Sequence, residues 1–219
     1  MKFLVTAGPT REHLDPVRFL SNPSSGKMGF AVAAAAIRAG HEAVLVAGPV
    51  SLRTPRGARR IDVVSACGML DALKREIASA DVLVMSAAVA DWRPAECSAS
   101  KLKKSEMDGV LRLVRNPDIL QSLHPLKGSR FFAGFAAETG DPEAEALRKM
   151  RDKGLDMIIA NDVSSPGCGF AVSTNRVSVY CADGSRTDLP LMRKSAVAAR
   201  IVKMICALAR GREAGCRSH

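Results

Sequence analysis

The stretch Ser21-Asn22-Pro23-Ser24-Ser25-Gly26-Lys27-Met28-Gly29 puts hydroxyls, a carboxamide, two glycines and a lysine directly ahead of an alanine-rich run. That set of groups suits an anion. Ser24, Ser25 and Gly26 fall at a helix N-terminus, where free backbone N–H groups and the positive dipole end attract phosphate. Glycine at such a place lets the backbone come close to a ligand. A serine-capped helix without a ligand is the alternative. Neither of two common phosphate loops fits. A Walker A loop needs G-x-x-x-x-G-K-[ST], but Met28 follows Lys27 and Ser21 holds the first glycine position. A dinucleotide fingerprint needs three glycines directly after the first strand, but Pro9 and Thr10 follow Gly8.

Other groups carry potential chemistry more weakly. Lys149 and Lys153 are four apart, on one face of a helix; an ordinary charged surface has the same pattern. Asn116 before Pro117 reads as a helix cap followed by a first-turn proline. Phe135 is either a core aromatic or the wall of a base site. A short-chain dehydrogenase would need a tyrosine with lysine four residues on. Tyr180 is the only tyrosine, and residue 184 is Gly184. The six cysteines are scattered without a C-x-x-C pair, so structural thiols are expected rather than a zinc or redox site.

The elements that must hold these groups are legible as alternating apolar strands and helical patterns. Strands are expected at "KFLVTAG", 42–48, 60–65, 81–88, "RFFAGFAA" and "DMIIAND". Helices are expected at 26–39, 67–79, 116–124, from Asp141 to Gly154, and at 193–209. A hairpin is expected around Asp183-Gly184. Continuous rather than alternating apolar strands imply a sheet covered on both faces. The fold class is therefore α/β, a three-layer Rossmann-like domain with a mainly parallel sheet, in which ligands sit at the carboxyl ends of strands. Residues 1–209 read as one domain, with 91–108 as a lysine-bearing lid and 210–219 as a basic tail. The net charge of +10 admits nucleic acid or a pocket for small polyanions. No aromatics interleave with the basic residues, which disfavours nucleic acid. No apolar run approaches ~20 residues, so no membrane span is expected. The start lacks the pattern of a signal peptide, and cytoplasm is the expected compartment.

Six motifs occur in order: "TAGPTREHLDPVRFLSNPSSGKMG", "AAVADWRP", "KLKK", "NPDIL", "GFAAET" and "LDMIIANDVS". Together, over about Lys2 to Leu208, they resemble bacterial phosphopantothenate–cysteine ligase. The resemblance implies amide formation in two steps. CTP first activates 4'-phosphopantothenate as an acyl-cytidylate, and cysteine then displaces CMP. It makes Asn22 and Lys101 catalytic, Asn22 toward the acyl-cytidylate and Lys101, on the flap, toward the phosphates. Asn22 could otherwise be a turn residue, and Lys101 a solvated loop lysine. Nucleotide-binding roles fall to Ser24, Ser25, Gly26, Ala87, Ala88, Asp91, Lys101, Asn116, Pro117, Asp118, Ile119, Phe135, Lys149 and Lys153. Asp91 is also the implied Mg²⁺ ligand; pairing with Arg93 is its alternative. The family implies a homodimer. Pro23 departs from it, since His or Arg is expected there. The fused flavin-dependent decarboxylase of many bacteria is missing from this sequence, which implies a free-standing ligase or an excised half. A non-catalytic nucleotide-binding module on the same fold is the other class.

Overall fold

Lys2–Ala7 and Glu42–Ala47 are buried almost end to end, as strands covered on both faces must be. The computed structural model describes residues 1–103, 109–138, 142–162, 167–169 and 172–216. In chain order its elements are β1 (Lys2–Ala7), β2 (Arg11–His13), β3 (Phe19–Ser21), α1 (Lys27–Arg38), β4 (Glu42–Ala47), β5 (Arg59–Asp62), α2 (Ala66–Glu76), β6 (Val82–Met85), β7 (Trp92–Pro94), β8 (Leu113–Arg115), α3 (Ile119–Leu123), β9 (Phe131–Glu138), α4 (Pro142–Asp152), β10 (Met157–Asp162), β11 (Thr174–Cys181), β12 (Arg186–Arg193) and α5 (Lys194–Cys216).

Eight strands form one sheet in the order β12-β11-β10-β9-β6-β1-β4-β5. Every pairing from β5 to β10 is parallel. The hairpin β11–β12 adds an antiparallel pair at one edge. The mainly parallel α/β class expected from the sequence is what the chain adopts. Helices α1 and α5 cover one face, where Val32, Val197, Ile201 and Ile205 pack on Phe3, Val5, Phe131 and Ile159. Helices α2, α3 and α4 cover the other, where Met69, Leu73, Leu123 and Met150 pack on Leu4, Leu83, Phe132 and Ile158.

Several expectations shift. The last helix runs past 209 to Cys216. The cap of α3 is Asp118, whose carboxylate accepts from the Gln121 N–H at 3.1 Å, and not Asn116. Asp118 is itself extended, with φ −71° and ψ 111°, so the helix starts at Ile119, and the Asn116 side chain bonds the Ala90 carbonyl and Arg93 instead of a helix N–H. The expected lid at 91–108 begins as strand β7, paired with β8. Its residues 104–108, with Lys104, and Asp141, expected to cap a helix, lie outside the described residues. Two short hairpins, β2–β3 and β7–β8, were not expected at all.

Helix α1 is held against the end of β1 by the absence of side chains. Gly26 caps it at φ 75°, a conformation that favours glycine. A Cβ on Gly29 would lie 2.5 Å from the Thr6 carbonyl oxygen and 2.6 Å from Ala7 Cβ. Neither neighbour can turn away, so Gly29→Ala must lift the helix from the strand. The expected loss of stability is about 1–3 kcal/mol, read as a lower denaturation midpoint at unchanged slope. An unaltered midpoint would show that this contact does not set the helix position.

Candidate active site

From β1 the sheet grows one way through β4 and β5, and from β6 it grows the other way through β9 and β10. A crevice therefore opens beyond the carboxyl ends of β1 and β6. The loops leaving these strands stay bound to each other. Thr6, fully buried, accepts at Oγ1 from the N–H groups of Ser86 and Ala87, at 3.0 and 3.1 Å. Ala88 N–H donates to the Gly8 carbonyl, and Thr10 N–H to that of Ala88, at 2.9 and 3.3 Å. Thr10 Oγ1 accepts from Ala90 N–H at 3.0 Å. Asn22 completes the seam, its amide donating to the carbonyls of Ala88 and Val89 at 3.1 and 3.2 Å.

Above this seam lies a cleft of about 870 Å³. It is lined by Asn22, Ser24, Ser25, Gly26, Ala87, Ala88, Asp91, Asn116, Pro117, Asp118, Ile119, Phe135, Lys149 and Lys153. Every residue singled out from the sequence is thus brought together except Lys101, which is exposed and does not line the cleft.

The details refine the roles open to these residues. No side chain caps α1, so Ser24 and Ser25 are not its caps. Ser24 Oγ instead accepts from Gly26 N–H at 3.4 Å. Both amide hydrogens of Asn22 are engaged by carbonyls, so donation to a ligand requires exchange of one of them. Three of the four backbone polar groups of Ala87 and Ala88 are likewise taken by protein partners. Asn116 donates to the Ala90 carbonyl at 2.8 Å and accepts from Arg93 at 3.1 Å. Arg93 therefore does not pair with Asp91, whose carboxylate has no hydrogen bond or ion pair among the described residues. Lys153 pairs with Asp118 at 3.1 Å, and Lys149 with Glu145 at 3.5 Å. Phe135 lines the cleft and also packs against the α1–α5 core, so it is a core aromatic with one face on the cleft.

Sequence reasoning missed further cleft residues, Ser86, Arg115, Asn161, Asn175 and Lys194, and gave Lys27 no separate role. Ser86 Oγ and Asn175 Oδ1 are buried without a hydrogen-bond partner among the described residues. Lys194 is 6% exposed and donates to the Gly169 carbonyl at 2.7 Å. Burial pushes its pKa below that of an ordinary lysine, and the nearby Lys27 charge adds to this. One signal was available. Lys27 and Lys194 are the first residues of α1 and α5, the helix end where a cation is disfavoured.

The fold and the cleft define a Rossmann-like α/β protein whose ligand crevice lies at the switch point of a mainly parallel sheet. The chain belongs to the DNA/pantothenate metabolism flavoprotein C-terminal domain family, whose model matches residues 1–208. It is 47% identical over 205 residues to the coenzyme A biosynthesis bifunctional protein CoaBC of Vibrio vulnificus strain YJ016, covering 92% of this chain and 51% of that protein. It is 44% identical over 208 residues to the protein of that name from Bacillus subtilis, covering 94% and 51%. The chain thus spans about half the length of the curated relatives it matches. A crystal structure of the C-terminal domain of CoaBC superposes with a TM-score of 0.82 at 40% identity, covering 96% of this chain and 98% of that one.

The position of Lys101 depends on a tether at its neighbour. Asp15, fully buried, accepts from the Arg18 guanidinium at 2.6 and 2.9 Å and from Leu102 N–H at 3.3 Å, while Arg18 also donates to the Leu102 carbonyl at 3.0 Å. The Arg18 side chain, aided by backbone N–H groups, holds the Asp15 carboxyl far below the usual range against the opposing effect of burial. A depressed folded pKa contributes stability that is complete above the unfolded value of about 3.9 and is lost as pH falls toward the folded one. Asp15→Asn should therefore lower the melting temperature at pH 7. The gap from wild type should narrow as pH drops from about 5 to about 2. A gap that does not change across this range would exclude the ion pair as its source.

Proposed function

We propose that this chain joins 4'-phosphopantothenate to L-cysteine with CTP, releasing pyrophosphate and CMP. One observation carries the reading: motif residues spread from Asn22 to Asn161, Lys101 excepted, line one crevice, at the place where this fold binds ligands. The substrate carboxylate attacks the α-phosphorus, and pyrophosphate leaves with the electron pair of the broken P–O bond. The cysteine amine then attacks the acyl carbon and loses a proton, and CMP departs.

Each residue has a role in this reading. The N-terminus of α1 with Ser24, Ser25 and Gly26 meets phosphate oxygens. Asn116–Ile119, Lys149 and Lys153 receive the nucleotide from the opposite face of the sheet. Asn22 aligns the acyl group by holding the two crevice loops together, and donates to the acyl oxygen when one of its carbonyl bonds is exchanged. Lys101 reaches the phosphates when the segment that carries it moves over the cleft. Mg²⁺ suits the unpaired Asp91 carboxylate, because it binds through one or two carboxylates plus substrate phosphates, whose charge it neutralises. The cytoplasm is the matching compartment.

The homodimer belongs to the same reading. Val17 and Phe19 near the β2–β3 hairpin, and Trp92, Leu111, Leu113 and Val114 near β7–β8, are exposed apolar residues. An exposed apolar patch of this kind marks an interaction surface. Light scattering should give twice the chain mass for the wild type. The pair Leu111→Glu and Leu113→Glu should shift it toward the monomer; a wild-type monomer at all concentrations would refute the assembly.

Purified protein supplied with phosphopantothenate, cysteine and CTP should release pyrophosphate and CMP in equal amounts, more efficiently than with ATP. Asn22→Ala should slow product formation by about 10²-fold or more while the protein stays folded. Absence of cysteine-dependent CMP release from the wild type would leave only a nucleotide-binding module.

A further inference from the structure

The face of the sheet covered by α1 and α5 carries charge of one sign. The chain has no acid between Asp15 and Glu42, between Glu42 and Asp62, or between Asp188 and Glu213. Those intervals hold α1, the loop at 48–58, and α5 as far as Arg212. The loop belongs to the same face: its Val50 and Leu52 pack on the α1–α5 core, and its Gly57 lies against Ile37 of α1. Arg38 on α1, Arg53 and Arg56 on the loop, and Arg200, Lys203 and Arg210 on α5 are exposed. None of these six is paired with a carboxylate among the described residues, whereas Arg59 and Arg60, just beyond the loop, pair with Glu76 and Asp62. On the opposite face α4 mixes the two signs, and Arg148 meets Glu145 and Asp152 at 2.6 and 2.8 Å. Along α5 the cations form one stripe, opposite the buried Val197, Ala198, Ile201, Val202 and Ile205. Exposed Ala196, Ala199 and Ala207 fill the rest of that stripe. The long cationic side chains thus stand on a shallow floor that an extended partner can approach closely.

We propose that this face binds the sugar–phosphate backbone of duplex nucleic acid, without reading its sequence. Like charges gathered on one face repel each other, and an external polyanion relieves that repulsion. Five of the six cations are arginine, whose planar fork meets phosphate oxygens in pairs. A protein partner needs apolar or aromatic anchors at the centre of its interface, and a membrane holds a helix by the apolar groups that enter it. None of the exposed large apolar side chains among the described residues lies on α1, α5 or this loop. The lack of aromatics, which disfavours nucleic acid in the sequence, speaks only against stacking on single strands. A duplex presents phosphate on its outside and needs no stacking partner. None of the six cations lines the cleft, so this surface stands apart from the ligase reading.

Fluorescence anisotropy with a labelled duplex of about 20 base pairs tests this, at a series of salt concentrations. The wild type should bind two unrelated sequences equally, with a micromolar Kd at about 0.1 M salt and a log–log salt slope of about −4.5, the value for about five neutralised phosphates. The pair Arg200→Glu and Lys203→Glu should weaken binding at least tenfold and flatten the slope. The pair Arg53→Glu and Arg56→Glu should act in the same direction, and keeps the test alive if the α5 pair does not fold. The pair Lys74→Glu and Arg75→Glu, exposed on α2 at the opposite face, changes net charge by the same amount and should cost less than threefold. An equal loss in that control would show that net charge and not this face is responsible, and would overturn the proposal. So would the absence of duplex binding by the wild type. Tighter binding, at equal salt, to vesicles rich in phosphatidylserine or to polyglutamate would overturn the choice of partner.

Discussion

Two neighbouring parallel strands diverge at their carboxyl ends, and the hydrogen bonds that the ladder stops making there are replaced by side chains. That substitution is the constraint on which the crevice depends. Thr6 and Thr10 supply hydroxyl acceptors for three backbone N–H groups of the loop after β6, and Asn22 supplies donors for two of its carbonyls. Water or a ligand would otherwise have to satisfy these buried groups. The loop therefore has one conformation before any ligand arrives, and the polar groups that remain available in the crevice are few and fixed. Preorganised groups of this kind act on a developing charge without reorganising first.

The same economy runs outward from the seam. Glu12, on β2, receives the Ala66 N–H at the start of α2 at 2.8 Å, while Ser65 caps the next turn. Asp15 closes the turn that follows and holds Leu102. A short strand with almost no apolar content thus joins a helix of one sheet face to the segment carrying Lys101. Its importance lies in the buried carboxylates of Glu12 and of the nearby Asp15, for which hydrophobic area is no guide.

Long elements were legible in the sequence because each carries its own signal. The buried strands read as unbroken apolar runs, and α4 and the Asp183-Gly184 hairpin announced their ends by glycine. The hairpins β2–β3 and β7–β8 were not legible. Three-residue strands are too short to show a period, and their pairing is decided by partners elsewhere in the chain. The crevice residues on one side of the seam were found through ordered motifs. Arg115, Asn175 and Lys194 were missed because strand order, which no local pattern encodes, brings them to one place. Asn116 lines the cleft, as the motifs led one to expect, but its local reading as a cap failed: its amide joins Ala90 to Arg93.

The margins of the sheet bear on how copies of this molecule can meet. An open sheet of eight strands has two edges, each a row of backbone groups that another chain could extend. On one margin β12 carries Pro190, which has no N–H to offer, and Arg186, Asp188 and Arg193 among exposed positions. On the other, β5 is only four residues long and bears Arg59, Arg60 and Asp62. Both borders therefore resist strand-by-strand addition, the route by which sheets polymerise into fibres. The pairing proposed through the apolar hairpins would use neither border, and would end in a closed pair instead of an open chain.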